Sequence, residues 1–115
     1  FPSPALIDGK LSTAAKRGQE LFTSERINCA KCHPAPLYSD LQMHDVKSRG
    51  QYDRRDDFDT ATLVECWRTA PYMHDGRYVT LKGLFTEGKH GMPDDDGPKL
   101  SEQQINDLVE FVRSL

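Results

Sequence analysis

The chain predicts an all-α domain with long loops, and three observations carry that expectation. "LSEQQINDLVEFVRSL" at the C-terminal end places Ile105, Leu108, Val109, Val112 and Leu115 at helical spacing, with Phe111 beside that stripe. "STAAKRGQELF" near the other end is built of good helix formers, with Ala14, Ala15, Leu21 and Phe22 as its apolar positions. Nowhere does a sustained alternation of apolar and polar residues mark a strand, and no internal repeat is present.

Taken in order, "FPSPALIDGK" is punctuated by proline and reads as a linker, so residues 1–11 are expected to lead into a domain over residues 12–115. It shows none of the pattern of a signal peptide and suits a mature form or a piece of something longer. Ser12 is the N-cap candidate of a first helix over 12–24. Residues 34–60 are rich in Pro, Asp, Gly, Ser and Arg and predict a long loop. Such a loop in a compact domain implies that something other than chain packs beneath it. "TATLVECWRT" predicts a short helix over 60–69, stopped by Pro71. "TLKGLFTE" predicts another over 80–87, with Thr80 as N-cap and Gly88 just past its end. Ser101 and Gln104 stand in capping-box positions for the last helix.

At 115 residues the chain has room for one domain with a modest core, to which a large covalent ligand would matter. Charged residues make up 29% of it, and the net charge of −3 gives no general attraction to nucleic acid or anionic lipid. No apolar run approaches a membrane span. The cysteine count of 3 is odd, which makes a poor disulfide framework, and Cys66 is expected to be an inert buried thiol.

Chemistry concentrates in "INCAKCHPAP". C-x-x-C-H is the attachment signature of c-type haem. Cys29 and Cys32 stand about one turn apart for thioether bonds to two vinyl groups. His33 follows as the proximal ligand of the iron. Two other readings exist. A zinc site would need two more ligands, from Cys66 and a distant histidine, because no second CxxC is present. A thioredoxin-like dithiol belongs at a helix N-terminus in a βαβ setting, which this sequence does not show. Haem is the preferred reading.

With the Gly18–Phe22 helix, CxxCH and "LVEFVRSL" in place, the chain resembles a cytochrome c domain. In that fold the first and last helices cross, a small residue facing an aromatic, and Gly18 with Phe111 is the matching pair. "CAKCHPAPLYSDLQMHDV" and "FDTATLVECWRTAPYMHDGRYVTLKGLF" resemble, more narrowly, the C-terminal haem domain of bacterial dihaem cytochrome c peroxidases and of their relatives that mature methylamine dehydrogenase. Those proteins carry two haems, whereas this chain has a single CxxCH. The resemblance implies a six-coordinate electron-transfer haem more than peroxidase activity, outside the cytoplasm of a bacterium, in contact with a redox partner protein or a fused redox domain. A peroxidase-type module with a displaceable ligand is the alternative.

The same resemblance puts the distal ligand after the helix that opens at Thr80. Counting from there reaches Gly88, which cannot ligate, so the expectation moves to His90 or to Met92 in "KHGMP". His90 is favoured, since some single-domain relatives resemble "GKHG" here; Met92 has the support of a "GMP" loop like that of many monohaem cytochromes c. Met43, His44, Met73 and His74 are weaker candidates. Pro71, Tyr72 and Met73 are expected to line the haem. Trp67, Arg68 and Arg77 are candidate donors to its propionates, because a buried carboxylate needs a donor or a cation. His44 and His74, each followed by an aspartate, are read either as hydrogen-bonded pairs near the haem edge or as plain turn residues. The acidic runs "DRRDD" and "DDDG" read as solvated loops.

Overall fold

Two capped helices frame the molecule. The computed structural model describes all 115 residues. Its α-helices are α1 (Thr13–Thr23), α2 (Leu81–Thr86) and α3 (Glu102–Arg113). Ser12 caps α1 by accepting from the Ala15 backbone N–H, and Thr80 caps α2 by accepting from Gly83. The capping box of α3 is complete: Ser101 accepts from the Gln104 N–H while the Gln104 side chain accepts from the Ser101 N–H. Each cap satisfies donors that a helix start otherwise leaves open.

These starts aim apolar faces at one another. Ala15, Gly18 and Phe22 of α1 are buried against Leu108, Phe111 and Val112 of α3, and Leu81, Leu84 and Phe85 of α2 close the same core. Gly18 sits at the closest approach, as expected, with the Phe111 Cβ and the Asp107 carbonyl over it. Phe22, Phe111 and Tyr38 form a trio of edge-on rings with centroids 5.1, 6.0 and 6.4 Å apart, a geometry that aromatic quadrupoles favour. The crossing therefore also holds Tyr38, a residue of the loop that follows CxxCH.

A bidentate ion pair ties the crossing from the side. Arg17 donates through Nε and Nη2 to the two carboxylate oxygens of Asp107 at 2.8 and 2.9 Å, and the Asp107 side chain is only 7% exposed. Arg17→Met strands that buried carboxylate and should destabilise the fold, because the lost hydrogen bonds went to a charged group. Denaturant unfolding followed by circular dichroism checks this. The Arg17→Met/Asp107→Leu double variant should recover much of the loss, because it removes the stranded charge as well.

Two expectations need correction. The all-α class is breached by a short antiparallel ladder, β1 (Met43–His44) with β2 (Phe58–Asp59), in register Met43 to Asp59 and His44 to Phe58. Thr60 N–H to the Gln42 carbonyl and the Ser39 hydroxyl to the Thr60 carbonyl extend the closure of the long loop. Loop backbone still needs partners, and two-residue strands are too short to show a period of two. The helix expected over 60–69 is likewise absent, reduced to a 3-10 turn at Cys66–Arg68. The Thr62 hydroxyl accepts from the Val64 N–H, a local bond that competes with helix, and Glu65 takes a left-handed φ of 59° while its N–H donates to the Leu115 carbonyl. A second 3-10 turn spans Cys29–Lys31. Ahead of α1, Ser3 is buried with its hydroxyl donating to the Arg113 carbonyl, and Arg68 lies 5.0 Å over the Phe1 ring. No helix is long and apolar enough to cross a membrane.

Candidate haem-binding site

The CxxCH lies on the 3-10 turn that follows α1, where the His33 N–H donates to the Cys29 carbonyl and folds the motif back on itself. His33 Nδ1 is 2.9 Å from the Tyr38 carbonyl oxygen. A carbonyl only accepts, so Nδ1 carries the proton, and in the neutral ring Nε2 is left with a free lone pair. That is the arrangement in which a histidine ligates a metal through Nε2 while a second group fixes its orientation. Since Tyr38 is clamped in the aromatic trio, the helix crossing positions His33 through one carbonyl.

Cys29 and Cys32 are both half-buried and unpaired. Burial, reinforced by the neighbouring Cys32, pushes the Cys29 thiol up to about 11. A redox-active dithiol needs the opposite shift, so the thioredoxin-like reading loses its chemistry. Cys66 is buried with its sulfur on the Val112 carbonyl at 3.7 Å, and burial pushes it to about 11 as well. The zinc reading required Cys66 beside the motif. Instead, the donors gathered near Cys32 are Asp40 and His44, with ligand atoms within 4.8 Å of one another.

The opposite wall is the loop after α2. His90 is held there by its N–H to the Leu84 carbonyl at 3.2 Å, between Lys89 (φ 50°) and Gly91 (φ 69°). A Cβ on Gly91 would stand 3.9 Å from the Cys29 sulfur, so this loop covers the first cysteine. Partial burial, with a smaller contribution from His33, pulls the His90 imidazole below its ordinary value. Met92 lines a cavity of about 260 Å³ with Phe85, Pro93, Leu100 and Ile105, and neither cysteine nor His33 borders that space.

Tyr72 and Met73 are half-buried against the core, while Pro71 is exposed. The Tyr72 backbone pairs with Tyr78, and its hydroxyl donates to the Cys66 carbonyl. Of the three candidate propionate donors, Arg68 points out to Glu65, and Arg77 is spent on Asp75 and the Ser48 carbonyl. The indole Nε1 of Trp67 is buried with no protein acceptor, and so is the Ser48 hydroxyl. An orphaned buried donor costs about 1–3 kcal/mol, and an acidic prosthetic group supplies the acceptor that the chain lacks. The donor set therefore fits haem c: two thiols, a histidine with a free Nε2, a loop bearing His90 and Met92 beside Cys29, and buried donors without a protein acceptor.

The aspartates that follow His44 and His74 are not their partners. His44 Nε2 meets Asp40 Oδ2 at 2.6 Å, and His74 Nε2 meets Asp53 Oδ2 at 2.7 Å with its ring stacked on Phe58. Asp45 pairs with Lys47 and Asp75 with Arg77. Asp40 is a site residue that sequence reasoning missed. Its carboxylate accepts from His44 and from the Gln42 N–H, which lower its pKa to about 2 against a desolvation that raises it.

Residues 13–112 match the family described as "Cytochrome C oxidase, cbb3-type, subunit III". The chain belongs to this cytochrome c family. Covalent haem c, with its iron, is the cofactor of such domains, in keeping with the donor set above. This cytochrome c domain is 27% identical to hydrazine synthase subunit gamma of Kuenenia stuttgartiensis, over 94% of the chain and 42% of that protein. It is 29% identical to the methylamine utilization protein MauG of Methylorubrum extorquens, over 94% of the chain and 36% of that protein. A structure of the Kuenenia hydrazine synthase superposes with a TM-score of 0.79 at 27% identity, covering 100% of this chain and 50% of that one. A MauG-like protein associated with microbial copper homeostasis superposes with a TM-score of 0.72 at 22% identity, over 94% of this chain and 48% of that one, which speaks for the fold alone. The domain spans half or less of the length of these relatives. The kinship with methylamine-linked proteins that the sequence implied is thereby met, and the cytochrome c-like fold with it.

Proposed function

We propose that the domain is a one-electron carrier whose haem is six-coordinate and low-spin. In this reading Cys29 and Cys32 form the thioethers, His33 is the proximal ligand and His90 the distal one, with Tyr72 and Met73 against the porphyrin. When bound, haem c supplies an Fe(III)/Fe(II) couple. The protein's part would be to hold the iron through His33 and His90 and to exclude water. The observation that supports the proposal is the loop that bears His90: its neighbour Gly91 lies against Cys29, a Cβ there standing 3.9 Å from the sulfur. With a second imidazole in place, no open position is left for peroxide or oxygen. Met92, which lines a cavity that neither cysteine nor His33 borders, is the lesser candidate. The domain works outside the cytoplasm as one unit of a larger redox protein, beside a redox partner or fused redox domain that supplies or takes the electron.

A second reading is a peroxidase-type enzyme module in which the distal ligand leaves. It draws on the resemblance to dihaem cytochrome c peroxidases and on the kinship with MauG. Absorption spectra of two variants separate the readings. His90→Ala should turn high-spin and bind cyanide and peroxide rapidly, while Met92→Ala should keep the low-spin spectrum of the parent. A weak near-infrared sulfur-to-iron band in the oxidised parent, lost in Met92→Ala, would transfer the role to Met92. Rapid peroxide reactivity in the unaltered domain would sink the carrier reading.

A further inference from the structure

We propose that the Asp40 carboxylate, held in place by His44, lowers the reduction potential of the haem from the side of the second thioether. The inference rests on the electron-carrier reading above and adds a positioning role that reading does not contain. A carboxylate oxygen of Asp40, a ring nitrogen of His44 and the Cys32 sulfur all lie within 4.8 Å of one another. With Cys32 bonded to the porphyrin side chain, the carboxylate stands beside the first atom of the covalent link.

Neither group is a loose surface side chain. The Asp40 N–H donates to the Cys32 carbonyl at 2.9 Å, Oδ1 accepts from Gln42, and Oδ2 takes His44. His44 is fixed in turn by the β1–β2 ladder opposite Phe58. The Asp40 side chain is 18% exposed and that of His44 38%, so the pair lies at the protein edge, where a charge is screened less than in water. The nearest acid along the chain, Asp45, is turned to Lys47 instead.

The sign follows from electrostatics. The step is one electron taken from a reduced redox protein, Fe(III) becoming Fe(II), with no bond made or broken and no proton moved. A fixed negative charge at the edge favours the oxidised, more positive centre and lowers the potential. A cation hydrogen-bonded to that carboxylate offsets it.

Spectroelectrochemical titration of the haem-loaded protein tests the pair. Asp40→Asn keeps an oxygen for the Gln42 N–H and removes only the charge. It should shift the oxidised-to-reduced equilibrium about tenfold toward reduction, a rise of about 59 mV for a one-electron couple. Asp45→Asn, which removes the same charge from an exposed pair, should leave the midpoint unchanged. An Asp40→Asn midpoint equal to the parent's overturns the proposal, as does an equal rise in Asp45→Asn. Should Asp40→Asn fail to fold, His44→Arg decides the matter: a permanent cation on the carboxylate should raise the midpoint, and an unchanged value counts against the pair. Failure of the carrier reading looks different, since the unaltered domain would then be high-spin before any variant is compared.

Discussion

Gly18→Val should cost the domain more than 3 kcal/mol and lower its melting temperature by about 10 °C or more. A Cβ built at Gly18 falls 2.0 Å from the Asp107 carbonyl oxygen, 2.6 Å from its carbon and 2.8 Å from the Phe111 Cβ. The first two are helix backbone, which cannot swing aside as a side chain would, so α1 and α3 must separate. Overpacking a core ordinarily costs about 1–3 kcal/mol, and a clash with backbone sits at the top of that range or above it. Helix propensity works the other way: replacing glycine by alanine in a helix gains about 1 kcal/mol. Gly18→Ala is therefore the sharper comparison, because its Cβ alone meets the same carbonyl. It too should destabilise, by less than valine, and a neutral or stabilising result would show that the crossing is looser than the contact implies. Thermal melts followed in the far ultraviolet check both. Since the crossing also clamps Tyr38 through Phe22 and Phe111, the haem spectrum of either variant should broaden before the helices melt.

What the sequence made legible was local or carried by a motif. Ser12, Thr80 and Ser101 announced their helices because a cap acts within one turn, and the Gly18–Phe111 contact follows once two amphipathic helices must cross. CxxCH declared its cofactor because two thioethers and a ligand demand that spacing. The failures are where the chain chooses partners at a distance. Val64, Glu65 and Cys66 sit among helix formers, yet Glu65 adopts a left-handed φ and gives its N–H to the Leu115 carbonyl, a tertiary bond that no propensity scale contains. "MHD" at Met43 and again at Met73 suggested neighbouring His–Asp pairs. The loops deliver His44 to Asp40 and His74 to Asp53, four and 21 positions away. His90 and Met92 are two residues apart and chemically competent alike. The backbone turns through left-handed Lys89 and Gly91, which sets Gly91 against Cys29 while Met92 borders a cavity beside Phe85.

His33→Gly should abolish the low-spin spectrum of the haem-loaded protein, and added imidazole should restore it. The argument turns on what the substitution leaves behind. Glycine removes the ring but keeps the 3-10 turn, the two thiols and the Tyr38 carbonyl that accepted from Nδ1. Tyr38 stays in place because its ring is held by Phe22 and Phe111, not by His33. A free imidazole entering the vacated space can donate one N–H to that carbonyl and present its other nitrogen, as the native ring does. The loss should be near complete for the ligand field and small for the fold, since His33 belongs to the site and not to the buried cluster. N-methylimidazole provides the control: it has a ligating nitrogen but no N–H for Tyr38, so it should restore the spectrum only at higher concentration. Equal rescue by the two molecules would mean that the Tyr38 carbonyl does not orient the proximal ligand. No rescue by either would move the proximal role away from His33 altogether.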